Sequence, residues 1–438
     1  MSRTITRIAR GILTRLTIPT LQQLLFQRAT LVCGSFIVLV FVAAVAFWLP
    51  FGLTTVPITF VDAWFLATSV LTATGSSTID IMQECTPLGR AFIIVLLHFG
   101  GIGFMTAVLS LLQQFGVRVF RARRISGWRL LIAALGIELW VSLLLAVHWG
   151  ALSADPLGRW ASAFWYASSA FANVGFGGNL GIPTQQLDIT ATAVLALTML
   201  LGSLGLPVLV DLVTRNRRMA QTSVNTVVTI ALVVVTTTAI VLNPLWHVTH
   251  EAYTGAEKAF VALVDALSWR TSGYIADQDI MALSVGTRTL ILIGMFIGCA
   301  PGAMGGGVTP TTFVVFLSGV YRALRGDTTV TLMGQRIAPV VVHRAVSIVG
   351  LGILVVLISA GGLWVLDDVS AGAAVMMATA AFATTNIEVV PFAELHPASL
   401  ALLSIVMLWG RIGVFAIVLT LYGRATPKTV QAQSVWFG

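Results

Sequence analysis

The sequence predicts an all-α polytopic membrane protein made of four repeats, each a span, a re-entrant pore half-helix, a filter segment and a second span. Three observations carry this expectation. Hydrophobic residues fill 57% of 438 positions and charged residues only 10%, a balance far from that of a soluble domain. Eight apolar stretches are long enough to cross ~30 Å of hydrocarbon. Between the members of each successive pair lies a shorter apolar stretch that ends on a recurring segment: Thr72 to Ser76 (TATGS), Ala172 to Phe176 (ANVGF), Arg270 to Tyr274 (RTSGY) and Ala383 to Ile387 (ATTNI).

The elements follow in order. Residues 1–28 hold five basic and no acidic side chains; lacking a separate apolar core and cleavage site, they read as a retained cytoplasmic segment. The first pore repeat, 29–114, has spans near 29–49 and 88–114 around a half-helix near 59–71. The second, 129–214, has spans near 129–150 and 186–213 around 159–171. The third, 221–320, has spans near 222–243 and 286–320 around 256–268. The fourth, 337–423, has spans near 339–366 and 398–422 around 370–382, and 424–438 forms a cytoplasmic tail. At roughly 13 residues the half-helices are too short to cross and suit re-entrant elements. Three begin near an acid, Asp62, Glu257 or Asp368.

Each second span carries a glycine marker. Gly100 to Gly103, Gly202 to Gly205, Gly302 to Gly305 and Gly410 to Gly413 begin 25, 27, 29 and 24 residues after the filter centres. Matched offsets in four copies make chance an unattractive explanation, and both helix packing and a pore role fit. In the sixth span, Pro301, Gly302, Gly305, Gly306 and Gly307 interrupt the stretch from Cys299 to Thr309, which cannot continue as a stable helix. Such a break is tolerated where it lines a cavity or is buried in protein.

Basic residues set the topology. With both termini inside, nineteen of twenty-five Lys and Arg fall in cytoplasmic segments, while fourteen of seventeen acids fall outside, in line with the positive-inside bias. An acidic vestibule concentrates cations, although ordinary solvated loop charge explains any single residue equally well. The formal net charge of +8 is membrane-edge charge and gives no reason to expect nucleic acid.

Non-helical backbone at membrane depth, repeated around an axis, is how carbonyl oxygens come to replace a cation's hydration shell. The candidate filter residues are Ala73, Thr74 and Gly75; Asn173, Val174 and Gly175; Thr271, Ser272 and Gly273; and Thr384, Thr385 and Asn386. Gly75, Gly175 and Gly273 tolerate the backbone angles such a segment needs; Asn386 is the exception. Half-helices ahead of them aim their partial negative ends at the axis and favour cations. The neighbouring hydroxyls either brace adjoining segments or make local helix-end bonds.

These pieces resemble the TrkH/KtrB/HKT superfamily of potassium transporters, most closely its KtrB branch, from about residue 30 to 425. Its carriers are the block ending at Gly75, His98 to Thr106 (HFGGIGFMT), Ser169 to Phe176 (SAFANVGF), Gly202 to Leu209 (GSLGLPVL), RTSGY, Gly298 to Gly307 (GCAPGAMGGG) and Trp409 to Gly413 (WGRIG). The resemblance implies a pseudo-fourfold arrangement around one pore, K+ uptake across the plasma membrane, a homodimer, and a cytoplasmic nucleotide-binding regulatory ring of the KtrA/TrkA type. It also implies that the loop 299–309 obstructs the pore beneath the filter and moves on activation. Pro301, Gly302, Ala303, Met304, Gly305, Gly306 and Gly307 are then the gate, with Arg411 as a positive barrier or an anchor for the loop. The usual lysine of that loop is absent, since Gly306 to Thr311 reads GGVTPT.

Other polar residues at membrane depth are weaker candidates. Glu138 has room to pair with a neighbouring helix, and Arg270 is expected to pair with Asp265 or Asp277 behind the filter. His247 and His250 lack the carboxylate or cysteine partners of a metal site, and the odd, scattered Cys33, Cys85 and Cys299 define no disulfide framework. The favoured function is a channel-like K+ transporter without covalent cofactor, with Na+ as a candidate coupling ion. Alternatives are a Na+-permeable pore, because Asn386 offsets one carbonyl layer, and a repeat-based secondary transporter. An intramembrane enzyme is disfavoured because no nucleophile and base, paired acids or metal-ligand set falls on facing positions.

Overall fold

The computed structural model describes residues 31–108, 127–149, 156–176, 188–214, 220–244, 246, 250, 253–271, 280–327 and 329–413. In chain order its helices are α1 (Leu31–Trp48), α2 (Phe60–Thr72), α3 (Ile81–Glu84), α4 (Pro87–His98), α5 (Gly127–His148), α6 (Pro156–Phe171), α7 (Ile189–Leu204), α8 (Leu206–Thr214), α9 (Ala220–Val241) and α10 (Gly255–Thr271). They continue as α11 (Val285–Phe296), α12 (Pro310–Leu324), α13 (Pro339–Asp367), α14 (Ala371–Ala383) and α15 (Pro397–Leu408). A short antiparallel hairpin, β1 (Val330–Leu332) and β2 (Gln335–Ile337), separates α12 from α13.

Among the described residues five helical stretches are long and apolar enough to cross a membrane: α1, α4 with its continuation to Val108, α5, α9 and α13. Their outer faces are bare apolar side chains, such as Phe41 and Trp48 on α1, Leu139 and Trp140 on α5, and Leu357 and Ile358 on α13. Water would penalise such surfaces, whereas hydrocarbon does not. Glycine divides two further apolar stretches. Gly205, at φ 75°, divides α7 from α8, and residues 297–309 divide α11 from α12. Two others stay helical but widen to a π turn, at Phe99–Gly103 after α4 and at Trp409–Gly413 after α15.

Helix starts follow from capping chemistry. Thr59 and Asp62 form a reciprocal capping box on α2, and Thr254 donates from its backbone and hydroxyl to Glu257 in the first turn of α10, both at 2.8 Å. Ser370 caps α14, while Thr86, Ser284 and Thr309 cap α4, α11 and α12. Each cap satisfies amide groups that the first turn leaves open.

Packing has a cyclic order. The short helices α2, α6, α10 and α14 each lie against the long stretch that follows them, headed by α4, α7, α11 and α15. Each also meets another of these four: α6 meets α4, α10 meets α7, α14 meets α11, and α2 meets α15. The last of these contacts returns the chain's end to its beginning. Close approach rests on small residues, as expected where lipid gives helices no hydrophobic reason to associate. Gly100, Gly202 and Gly410 lie directly on the carbonyls of Leu71, Phe171 and Phe382, so closely that a β carbon has no space. Those three carbonyls occupy one position of the repeat, four residues before Gly75, Gly175 and Asn386.

Candidate cation site

Three half-helices end in the same way. At α2 the Ala73 amide donates to Val70 O (3.2 Å) and the Thr74 amide to Ser69 O (2.8 Å); at α6 Asn173 donates to Ala170 O and Val174 to Ser169 O (both 3.0 Å); at α14 Thr384 donates to Ala381 O (3.2 Å) and Thr385 to Ala380 O (2.8 Å). These are Schellman-type ends, which require a left-handed residue at the turn. Ala73 (φ 59°), Asn173 (φ 56°) and Thr384 (φ 52°) supply it. None is glycine, and left-handed backbone costs an ordinary residue ~1–2 kcal/mol. Two bonds of ~1 kcal/mol each offset that cost and turn the chain abruptly out of each half-helix.

Beyond the turn the segments diverge. Gly75 (φ 96°) and Gly175 (φ 73°) have positive φ, whereas Asn386 does not. Ser272 and Gly273 of the third segment lie outside the described residues; Thr271 closes α10, and its hydroxyl donates to Leu267 O at 2.9 Å. All the described filter candidates from Ala73 to Thr385 are buried.

The described segments touch one another: the first meets the second and fourth, and the second meets the third. A β carbon on Gly75 would strike the Val174 carbonyl and come within 3.0 Å of Asn386 Cβ, so the first segment is wedged between the second and fourth. Asn173 reaches Thr271 of the third repeat at 3.1 Å; with its amide nitrogen towards Met199 O and Thr271 Oγ1, its oxygen accepts from the Ser203 amide at 3.1 Å. Thr385 Oγ1 lies 3.6 Å from Met295 Sδ on α11. The threonines do both kinds of work: Thr72 makes local bonds to Thr68 O and Thr74 Oγ1, both at 2.7 Å, while Thr271 and Thr384 reach other repeats.

The glycine-rich loop lies against every repeat. Its Ala300 amide donates to Ser203 O (3.1 Å) of the second repeat, and its Gly306 amide donates to Thr384 Oγ1 (2.7 Å) in the fourth filter segment. Met304 Sδ sits 3.0 Å from where a β carbon on Gly101 would lie, in the first repeat. Within the third repeat the loop is held by Cys299 N to Gly306 O (3.3 Å) and Val308 N to Phe296 O (3.0 Å). Gly302 (φ 80°) and Gly307 (φ 83°) take left-handed turns that glycine makes at least cost. Cys299, Ala300, Pro301, Gly302, Ala303, Met304, Gly306 and Gly307 are buried and Gly305 is half-buried. A cavity of ≈ 20 Å³ remains between the loop, Met105, Gly410 and Arg411, space for about one water.

Two buried arginines hold this loop. Arg411, 1% exposed, donates to Met304 O in the loop and to Gly100 O (3.2 Å) and Gly101 O (3.4 Å) in the first repeat's π turn. Arg270, 3% exposed, donates to Thr229 Oγ1 (3.2 Å) on α9 and to Gly298 O (2.8 Å) at the loop's entrance. The bonds of Arg270 therefore run to the loop and to α9. Its other expected partner, Asp277, lies outside the described residues, as does His247.

Glu138 does pair with a neighbouring helix. His98 at the end of α4 meets it at 2.8 Å, and Ser168 of α6 donates to the same oxygen at 2.8 Å. The sequence signals, a histidine opening the first glycine marker and an acid inside a span, are visible, but the pairing across 40 and 30 residues is not. Beyond the fourth segment, burial pushes the Glu388 carboxyl up from the ordinary carboxylate range despite the Phe392 amide it accepts. Burial also raises Asp188, but its bonds from the Ala191 amide, His148 and Trp149 outweigh that and hold it below the ordinary range.

Comparisons with known proteins show what the chain is similar to. No protein-family profile matches it. It is 26% identical over 413 residues to the Ktr system potassium uptake protein B of Bacillus subtilis, covering 86% of this chain and 89% of that one. To the Ktr system potassium uptake protein D of the same organism it is 28% identical over 394 residues, covering 84% and 86%. The crystal structure of the potassium transporter TrkH from Vibrio parahaemolyticus superposes with a TM-score of 0.72 at 19% identity, covering 89% of this chain and 84% of that one. That likeness establishes a shared helical membrane fold.

Proposed function

We propose that this chain, which belongs to the TrkH/KtrB superfamily on its KtrB side, is the translocating subunit of a Ktr-type system for K+ uptake across the plasma membrane. One observation carries the reading: four half-helices packed with the helices that follow them in a closed cycle, with the first filter segment against the second and fourth. Around that axis the carbonyls of residues 73–75, 173–175, 271–273 and 384–386 take the place of a cation's water shell. Membrane potential, worth about 2.3 kcal/mol per elementary charge per 100 mV, drives uptake without ATP hydrolysis by this chain. Its relatives are named as potassium uptake proteins, not enzymes.

Within this reading residues Pro301 to Gly307 are the gate. Support comes from their contacts with every repeat and from Arg411, which ties Met304 to the first repeat. Without the family's loop lysine, the positive charge at the closed loop comes from Arg411 and Arg270. Both termini face the cytoplasm, two copies form a homodimer, and a KtrA/TrkA-type nucleotide-binding ring acts on the loop from that side. A Na+-permeable pore is the second reading, favoured by Asn386, whose backbone departs from the positive-φ conformation of Gly75 and Gly175. Rubidium flux into proteoliposomes under an imposed potential tests the function. Rb+ uptake blocked by excess K+ supports it, and potential-independent or absent uptake by folded protein refutes it.

A further inference from the structure

The hydrogen bonds around His98 fix a proton count. Nδ1 lies 2.7 Å from the Ile94 carbonyl, which can only accept, so Nδ1 carries hydrogen. Nε2 lies 2.8 Å from Glu138 Oε2, a distance that two lone pairs do not share. One further proton therefore sits between them, whichever atom holds it. With that proton the pair is neutral overall; without it a bare carboxylate faces a bare imidazole nitrogen among groups that are almost fully enclosed, 16% and 2% exposed at the side chain. Uncompensated charge in such surroundings is costly.

The same carboxylate oxygen accepts from Ser168 on α6. The Ser168 carbonyl accepts the Ala172 amide at 2.9 Å, and the next carbonyl, Ser169, accepts Val174; these bonds shape the second filter segment. His98 in turn immediately precedes the π turn whose Gly100 lies on the Leu71 carbonyl of α2. Other titratable groups on the surrounding elements are Asp62 on α2, Arg90 on α4, Arg129 and His148 on α5, Arg159 and Tyr166 on α6, Asp188 capping α7, and Arg411, which donates to Gly100 O and Gly101 O in the π turn. His148 is engaged by Asp188 at 2.9 Å. Glu138 is the charged group that acts on His98.

We propose that His98 and Glu138 form a proton-binding site within the membrane, and that its proton holds the second filter segment in its selective form. Loss of the proton replaces attraction by repulsion, so the carboxylate moves off His98 while keeping the Ser168 hydroxyl, and α6 shifts with it. Selectivity for K+ over Na+ then falls as pH rises. The inference rests on the proposed transport function. Histidine exchanges its proton in the physiological range, so the experiment is Rb+ against Na+ flux into proteoliposomes from pH 6 to 9.5.

Wild type is expected to lose selectivity about tenfold across that range, the loss of one charge-assisted bond. Glu138→Gln, which donates to Nε2 without a titrating proton, should keep its selectivity at every pH. If that variant does not fold, His98→Gln serves, and its selectivity should be equally flat with pH. Ser168→Ala should leave the proton site intact, seen as a pH-dependent change in carboxyl infrared absorption that Glu138→Gln lacks, yet uncouple selectivity from pH. Absence of potential-driven Rb+ flux in wild type at all pH values would overturn the transport function itself. Normal flux with pH-independent selectivity in wild type, or an unchanged pH profile in folded Glu138→Gln or His98→Gln, would overturn the proton site alone.

Discussion

Gly306→Ala should open a path that the wild-type loop keeps closed. Gly306 has no positive φ, so an alanine there brings no backbone penalty and acts through its methyl group alone. That methyl would sit 2.8 Å from Thr384 Cγ2, 3.1 Å from Thr384 Oγ1 and 3.2 Å from Gly410 O. Thr384 is β-branched, buried and already left-handed, and Gly410 is pressed against the Phe382 carbonyl, so neither neighbour yields easily. Overpacking of this kind costs ~1–3 kcal/mol, and it is felt only while the loop lies under the fourth filter segment. The closed-to-open ratio should therefore fall by ~5–150-fold. Rb+ uptake into proteoliposomes holding this chain without a partner measures the change. Gly361→Ala, with nothing within 4 Å, is the control and should leave flux at the wild-type level. Unchanged or reduced flux in folded Gly306→Ala protein would show that the loop does not obstruct conduction.

Three further outcomes are expected. Gly75→Ser should lower the K+/Na+ flux ratio, since its φ of 96° and the adjoining Val174 carbonyl leave no room for a side chain; wild-type selectivity would remove Gly75 from the filter. Asn386→Gly should raise that ratio by letting the fourth segment adopt the positive-φ conformation of the first two, and an equal or lower ratio in competition flux assays would contradict this. Asp188→Asn should lower the melting temperature of the purified protein at neutral pH. The folded carboxyl titrates below its ordinary value, so its contribution is present above about pH 4 and is lost as pH falls through the folded value. Asparagine caps a helix as well as aspartate, so the two proteins should melt alike in acid; a difference that persists there would point away from the charge.

Much of the helical frame was legible because its signals are local. Thr59 with Asp62, and Thr254 with Glu257, announce half-helix starts by side chains three residues apart, and Pro301 with its glycines announces a break in an otherwise apolar span. The four glycine markers were visible as a spacing, but their use was not. That Gly100, Gly202 and Gly410 seat on the carbonyls of Leu71, Phe171 and Phe382 depends on contacts 28 to 31 residues apart. The left-handed turns were assigned by composition to the glycines; the structure adds Ala73, Asn173 and Thr384, whose types carry no such mark beyond asparagine's mild tolerance. Arg270 illustrates the limit of charge counting: an acid nearby in sequence suggested an ion pair, while its bonds run to Thr229 and to a loop carbonyl. Arg411 was expected as a barrier or as an anchor for the loop, and it donates to the loop carbonyl of Met304.

Anomalous scattering from Tl+ or Rb+ in crystals of this protein tests most directly that four segments form one cation site. The expected result is a peak on the axis, within coordinating distance of carbonyls from residues 73–75, 173–175, 271–273 and 384–386, that weakens when K+ is added. A peak elsewhere in the fold, or none in crystals of transport-competent protein, would contradict it.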